Sequence, residues 1–287
     1  MQQLEVINEF LDTKSIVISE NDEQKPTIYF ISKQPFCESE GQNVIEEIEK
    51  NPEKGLIMTN DKYKKYQIEV PIERNITTSY SVDVISPATQ HDIEKNKPQK
   101  YELFTETPQI FNSITLPFIN SIPSSEFQWI YNILNGTAEQ NNVLINDDDY
   151  VSLLDMKWDR QNLNQVYGLV LVRDHSIHSL RALNQNHIQL LERIEKTTMK
   201  ILTNKYGLKE NEIITFVHYV PSFWHFHIHF CTIHSPLFQS LNSVIGRAIP
   251  LVDIIQNLKM NGNYYQTINI GLRLNTVHPL YKLFKSK

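Results

Sequence analysis

The run HYVPSFWHFHIHF, from His218 to Phe230, leaves the chain little freedom of fold at that point. Four of the ten histidines fall within it, and His225, His227 and His229 alternate with Phe226, Ile228 and Phe230. Successive side chains of a strand point to opposite faces, so positions i, i+2 and i+4 share one. The three imidazoles therefore look one way, and the two phenylalanines and the isoleucine look the other, as the core face of a half-buried strand. A helix would scatter both sets around its circumference. Just upstream, EIITFVHYV is a second apolar run, and Pro221 and Ser222 leave no room for a further element between the two. An antiparallel pair is the expected result.

Three chemistries fit such a row. Imidazole is a common zinc ligand, and three of them leave an open coordination position. Ligands four residues apart along one strand, however, are about 13 Å apart at their Cα atoms, so a metal usually takes its third ligand from another element. Histidines on a solvated face with no function are a second reading, although Thr, Lys or Glu would serve there as well. The third is phosphate chemistry, in which one imidazole attacks phosphorus while its neighbours donate to the charged oxygens.

Charge narrows the substrate. A protein that grips long nucleic acid needs a basic surface to displace counterions from many phosphates, and this chain carries a formal charge of −6. A short phosphorylated ligand held by a few cations fits better. The two cysteines, Cys37 and Cys231, give no disulfide framework and suit a reducing compartment. The N-terminus shows no basic region followed by an apolar run, and no stretch approaches membrane-span length. A soluble, intracellular protein is expected.

Along the chain two parts are expected, both α+β. In residues 1–98, SIVIS, TIYFIS, GLIMT, KYQIEV and YSVDVI read as short strands and NVIEEIEKN as a helix. Prolines at 98, 108, 117 and 123 punctuate residues 99–123, which read as a hinge. In residues 124–287, SSEFQWIYNILNG reads as a helix capped by Ser124 or Ser125 and ended by Gly136. VYGLVLVRD reads as a buried strand, and the segment from Asn184 to Tyr206 as a helix stopped by Gly207. VIGRAIPLVDIIQNLKMNG reads as a helix with Pro250 in its first turns, and YYQTINIGLRL as a closing strand.

The motif His225-Phe226-His227-Ile228-His229-Phe230-Cys231 resembles the histidine triad (HIT) signature. With the upstream His218-Tyr219 and Pro221-Ser222 it resembles the scavenger mRNA decapping family in particular. The blocks TNDKYKKY, SPAT, ITLP, QWIYNIL, LDMKW and HSLRAL carry the likeness, in family order, from about residue 55 onward.

The resemblance implies a C-terminal HIT catalytic domain with an antiparallel sheet, and a homodimer with an exchanged N-terminal domain. It implies His227 as the nucleophile, His225 and His229 as its assistants, and His218 and Ser222 as further polar positions. It implies Lys95, Lys157 and Arg247 as ligands of the triphosphate, with Arg247 in the first turn of its helix. It also implies a base pocket of Trp129 and Glu139, with Asp155, Tyr167, Asn60 and Tyr63. That set suits a 7-methylated guanine, a cationic ring that prefers an indole face and a carboxylate at its Watson–Crick edge. Two tyrosines are usual in the family before the triad; Phe223 and Trp224 stand there instead, so a hydroxyl near the phosphates is missing. His234 and His278 lie outside the matched blocks and are expected at the surface.

The activity implied is cleavage of short capped RNA fragments or the cap dinucleotide to 7-methylguanosine monophosphate and a nucleoside diphosphate or oligonucleotide. Neither a cofactor nor a metal is implied. The location implied is cytoplasmic, with nuclear entry open. A dinucleoside polyphosphate or phosphoramidate hydrolase would keep the triad but leave Trp129 and Glu139 without a purpose. A non-catalytic cap-binding regulator would need the pocket without His227.

Overall fold

A computed structural model describes residues 3–10, 15–21, 26–32, 38–72, 76–97, 100–155, 158, 160–235, 238 and 247–286. The chain divides into two compact units, residues 1–100 and 101–287. Each is α+β with antiparallel strand pairing.

In the first unit, β1 (Gln3–Phe10), β2 (Ser15–Asn21), β3 (Thr27–Ser32), β4 (Leu56–Asn60), β5 (Tyr63–Ile72) and β6 (Ile76–Ile85) form a sheet in the order β1-β2-β3-β6-β5-β4. Period-two alternation assigns its faces: Ile16 and Ile18 of β2 pack toward Val44, Ile45 and Ile48 of α1 (Glu38–Lys50), while Val17 packs with Ile7, Ile28 and Ala88 on the other face. Ile93 of α2 (Gln90–Asn96) joins that second cluster. The sequence signals for β2 to β6 and for α1 match what is found. β1 and α2 were not expected, although Thr89 and Asp92 form a capping box at the start of α2.

In the second unit, β7 (Tyr101–Glu106) is followed by α3 (Pro108–Ile110), a π-helical stretch (Phe111–Thr115), α4 (Leu116–Asn120) and α5 (Gln128–Leu134). Then come β8 (Val143–Asn146), β9 (Tyr150–Leu154), β10 (Tyr167–Val172), α6 (Ile188–Tyr206), β11 (Ile213–His218), β12 (His227–Thr232) and β13 (Ala248–Pro250). The chain ends with α7 (Leu251–Met260), α8 (Tyr264–Thr267), β14 (Ile270–Asn275) and α9 (Pro279–Lys285). The main sheet runs β13-β11-β12-β10-β9-β8, and β7 pairs separately with β14.

Residues 99–123 are not the expected hinge. β7 is bonded along its length to β14, and Thr115 and Ile119 are buried in the second unit. The prolines misled because Pro108 takes the first position of a helix, where a missing N–H leaves no hydrogen bond unmade, and Pro117 sits just after the π-helical stretch of the same helical run.

β12 lies at the centre of its sheet and is buried along its whole length, not half-buried. On one face Phe226, Ile228 and Phe230 pack with Leu191, Ile194 and Leu202 of α6 and Ile254, Ile255 and Leu258 of α7. On the other, Leu169 and Leu171 of β10 pack under Ile130, Ile133 and Leu134 of α5, and they pair in register with His229 and His227. The histidine face is thus a covered face. Gly168 makes this packing possible: a Cβ there would collide with the Phe230 ring and the Leu153 carbonyl.

Gly207, at φ 68°, ends α6 as expected. Three local expectations change. A 3-10 turn, Ser124–Phe127, precedes α5, and neither serine caps it by a side-chain hydrogen bond. Residues 264–267 are helical, so the closing strand starts only at Ile270. α7 starts at Leu251 with Pro250 as its N-cap, because Ala248–Pro250 pair with β11; Arg247 therefore precedes a strand and is not in a helix first turn.

Candidate active site

The triad is assembled where β12 meets the end of β10. Leu171 pairs with His227, and the chain before it is held by Phe226 N–H donating to Ile177 O at 2.8 Å. His225, His227 and His229 are 3, 3 and 7 % exposed. Each uses one ring nitrogen to fix its orientation. His225 Nε2 is 2.6 Å from Val172 O, and His227 Nδ1 is 2.7 Å from His225 O. A carbonyl only accepts, so each of those nitrogens carries the proton. In the neutral His227 ring the proton on Nδ1 leaves the lone pair on Nε2, the atom a nucleophilic imidazole needs. Burial holds His225 down at about 4, although the Val172 bond pulls the other way, so this ring is neutral near pH 7.

Around the third histidine, His218 lies 4.4 Å from the His229 ring, Phe216 stacks on it at 5.2 Å and 18°, and Tyr167 Oη is 2.8 Å from its Nδ1. The Tyr167 phenol is pushed well above its usual value, first by burial and then by Asp155. Ser222 Oγ accepts from Arg247 Nη2 at 3.0 Å, which joins the loop before the triad to the turn before β13. Tyr219 N–H donates to Arg247 O at 2.8 Å and closes the same junction. Burial lowers the Arg247 guanidinium from its ordinary value, which marks a desolvated cation suited to an anionic ligand.

An aromatic series leads away from the middle histidine. Phe223 stacks on His227 at 4.1 Å and 24°, and Trp129 of α5 meets Phe223 edge-on at 4.8 Å. The residue that lacks the family hydroxyl therefore packs directly on the candidate nucleophile. Asp155 N–H donates to Tyr167 O at 3.0 Å, which extends the β9–β10 pairing and sets Asp155 beside Tyr167. Tyr167, expected in the base pocket, lies against His229. Glu139, at φ 54°, starts the short 3-10 turn Gln140–Asn142 and accepts from Asn142 Nδ2 at 3.4 Å.

The remaining expected residues divide as follows. Asn60 and Tyr63 face each other across the β4–β5 hairpin of the first unit, with Asn60 buried and Lys62 Nζ 5.8 Å from the Tyr63 ring. Lys95 belongs to α2, but its side chain lies outside the described residues, as does Lys157 altogether. His234 is exposed as expected, whereas His278 caps α9 by accepting from Leu280 N–H at 3.2 Å. His175, which the sequence did not single out, lies 5.3 Å from the His225 ring and 4.8 Å from Tyr131. Its spacing from the triad gave no signal, because the contact is made across two strands.

Beneath the site is a buried charge network. Arg181 donates to Glu106 through Nε at 2.9 Å, and to the carbonyls of Glu106, Tyr265 and Ile268. Glu106 also accepts from Tyr219 Oη at 2.6 Å and Thr115 Oγ1 at 2.5 Å. The pair is 1 and 0 % exposed, and every nitrogen of the guanidinium and both carboxylate oxygens are hydrogen-bonded, as a buried ion pair requires. It anchors Tyr219, and with it the loop that carries Ser222 and Phe223. Among the described residues, no three His, Cys, Asp or Glu side chains are grouped to hold a metal, and no helix is long and apolar enough to cross a membrane.

Likeness to known proteins extends over most of the chain. A family model described as scavenger mRNA decapping enzyme C-term binding matches residues 128–243, from α5 past the triad. The m7GpppX diphosphatase of Ascaris suum is 33% identical over 230 residues, 79% of this chain and 74% of its own length. That of Homo sapiens is 29% identical over 280 residues, 96% of this chain and 80% of its own, and that of Caenorhabditis elegans 28% over 262 residues, 90% and 81%. With the family model and these relatives taken together, the chain belongs to the scavenger mRNA decapping enzyme family.

Proposed function

We propose that the protein is a decapping hydrolase that cleaves the triphosphate of short capped RNA fragments, or of the cap dinucleotide. The products are 7-methylguanosine monophosphate and a nucleoside diphosphate or shortened oligonucleotide. The observation that carries this is the hydrogen bond between His227 Nδ1 and His225 O, which in the neutral ring puts the attacking lone pair on Nε2, backed by the Phe223–Trp129 aromatic series.

Nε2 attacks the phosphorus nearest the methylated nucleoside. A P–N bond forms, the P–O bond to the next phosphate breaks, and the diphosphate leaves with the bond's electron pair. Water then attacks the same phosphorus, the P–N bond breaks, and His227 returns with its lone pair. His229 and His218 serve the phosphate oxygens and the leaving group, and Arg247, Ser222, Lys157 and Lys95 offset the negative charge; His225, expected beside them, has its one proton held by Val172 O and assists instead through its backbone carbonyl, which orients His227. Trp129 stacks on the cationic base, while Glu139 and Asp155 serve its edge.

Asn60, Tyr63 and Lys95 are read as further substrate residues, and the protein as a homodimer with exchanged N-terminal domains. The family likeness of TNDKYKKY and SPAT supports that arrangement, as does the separate core of the first unit. The experiment is incubation with methylated and unmethylated cap dinucleotides and identification of the products. Release of 7-methylguanosine monophosphate from the methylated substrate is expected; equal cleavage of both would point to a general dinucleoside polyphosphate hydrolase.

A further inference from the structure

His227 and His229 are adjacent on one face of β12, with ring centroids 4.9 Å apart, yet their Nδ1 atoms meet different partners. His227 Nδ1 faces a backbone carbonyl, which can only accept. His229 Nδ1 faces the Tyr167 hydroxyl at 2.8 Å, which can donate. We propose that Tyr167 is a positioning residue that holds His229 as its Nε2–H tautomer, so that His229 donates to a phosphate oxygen while His227 beside it presents a bare nitrogen.

Three observations carry the assignment. Tyr167 is 5 % exposed, so its hydroxyl is turned to protein rather than to solvent, and His229 Nδ1 lies within hydrogen-bond distance of it at 2.8 Å. Burial and the neighbouring Asp155 both keep the phenol protonated and so able to donate. Phe216, stacked on His229, fixes the plane of the ring, so the Tyr167 bond sets which edge Nε2 occupies. The opposite tautomer would donate from Nδ1 to the phenol oxygen and turn a lone pair toward an anionic phosphate, which is repulsive. Two neighbouring imidazoles thus take opposite roles, attacker and donor, through the partner that each Nδ1 meets. β10 supplies both the hydroxyl and, through the Asp155–Tyr167 backbone bond, a link to a residue of the proposed base pocket.

The assignment rests on the phosphate-transfer reading for its meaning but is measured without substrate. Long-range nitrogen–proton correlation spectra of the unliganded protein distinguish the two tautomers, and His229 is identified by the signals missing from His229→Gln protein. The expected pattern for His229 is a proton on Nε2 and a hydrogen-bonded bare Nδ1. In Tyr167→Phe, Nδ1 should move to the position of an unbonded nitrogen. The same variant should lose about tenfold in kcat on the methylated cap dinucleotide, with KM held within about twofold. A purely structural role would lower the melting temperature without this split. A wild-type proton on His229 Nδ1, or unchanged kcat in Tyr167→Phe, overturns the proposal. Wild-type protein that leaves the cap dinucleotide intact refutes the functional reading instead, and the tautomer result stands by itself.

Discussion

His225 supplies a test of the buried triad that needs no substrate. In the unfolded chain its imidazole takes up a proton near its ordinary value of 6.5, whereas in the folded protein burial delays this to about 4. Between those values the unfolded state binds more protons, so stability falls as pH falls. The contribution is complete above pH 6.5 and is lost by about pH 4. That difference corresponds to about 3 kcal/mol in full, and to about 2 kcal/mol of it lost at pH 5. His225 is 3 % exposed, so solvent screening takes little from these figures. His225→Gln keeps a donor for Val172 O but cannot titrate. Urea unfolding of the two proteins at pH 7, 6 and 5, followed by tryptophan fluorescence, reads the second unit alone, because Trp129, Trp158 and Trp224 all belong to it. The gap between the two proteins should narrow by about 2 kcal/mol from pH 7 to pH 5. Other acid-sensitive groups, such as His187, which burial also lowers, cancel in the comparison. Parallel loss in both proteins would refute the reasoning.

His227→Asn should abolish turnover while leaving cap dinucleotide affinity nearly intact in equilibrium binding, since the attacking nitrogen acts on the reaction more than on recognition of the base. Trp129→Ala should weaken binding of the methylated dinucleotide by about 1 to 3 kcal/mol and that of the unmethylated one by less, as calorimetry will read. Arg181→Met should cost about 3 to 5 kcal/mol in urea unfolding, because it strands the Glu106 carboxylate in a site with no exposure. Capped RNAs of a few nucleotides should be cleaved faster in single turnover than chains of several tens, since a surface of net charge −6 gives a long RNA body little hold.

Much of this was legible in the primary structure because the signals were local. Alternation placed the histidines and the aromatic residues on opposite faces, and the runs in β2 to β6, β10 and α6 announced themselves by period and by stop residues. What the sequence hid was long-range. An alternating strand looks the same whether its polar-looking face meets water or protein, so the burial of the triad under Phe223, His218 and Tyr167 could not be read from β12. The pairing of β7 with β14 and the Arg181–Glu106–Tyr219 network join residues far apart in sequence, and four prolines argued for a linker in just that place. Tyr167 was recognisable as a site residue, but its partner was not, since the 2.8 Å contact depends on the register of β10 against β12. α2 was the one avoidable omission: Thr89 with Asp92 three residues later is a helix-start signature.

The pairing of β7 with β14 also orders events on the ribosome. The first unit has all its strands, from β1 to β6, in the first 85 residues, so its core can close while the rest of the chain is still being made. Its neighbour in sequence cannot do the same. Tyr101–Glu106 emerge early but wait for Ile270–Asn275, and Glu106 waits for Arg181 and Tyr219 before its charge is matched. Synthesis at about 5 to 20 residues per second makes the wait of β7 for β14 a delay of roughly ten to thirty seconds, during which the strand edge has no partner. The second unit, and with it the histidine row, is therefore completed only after Asn275 has been released.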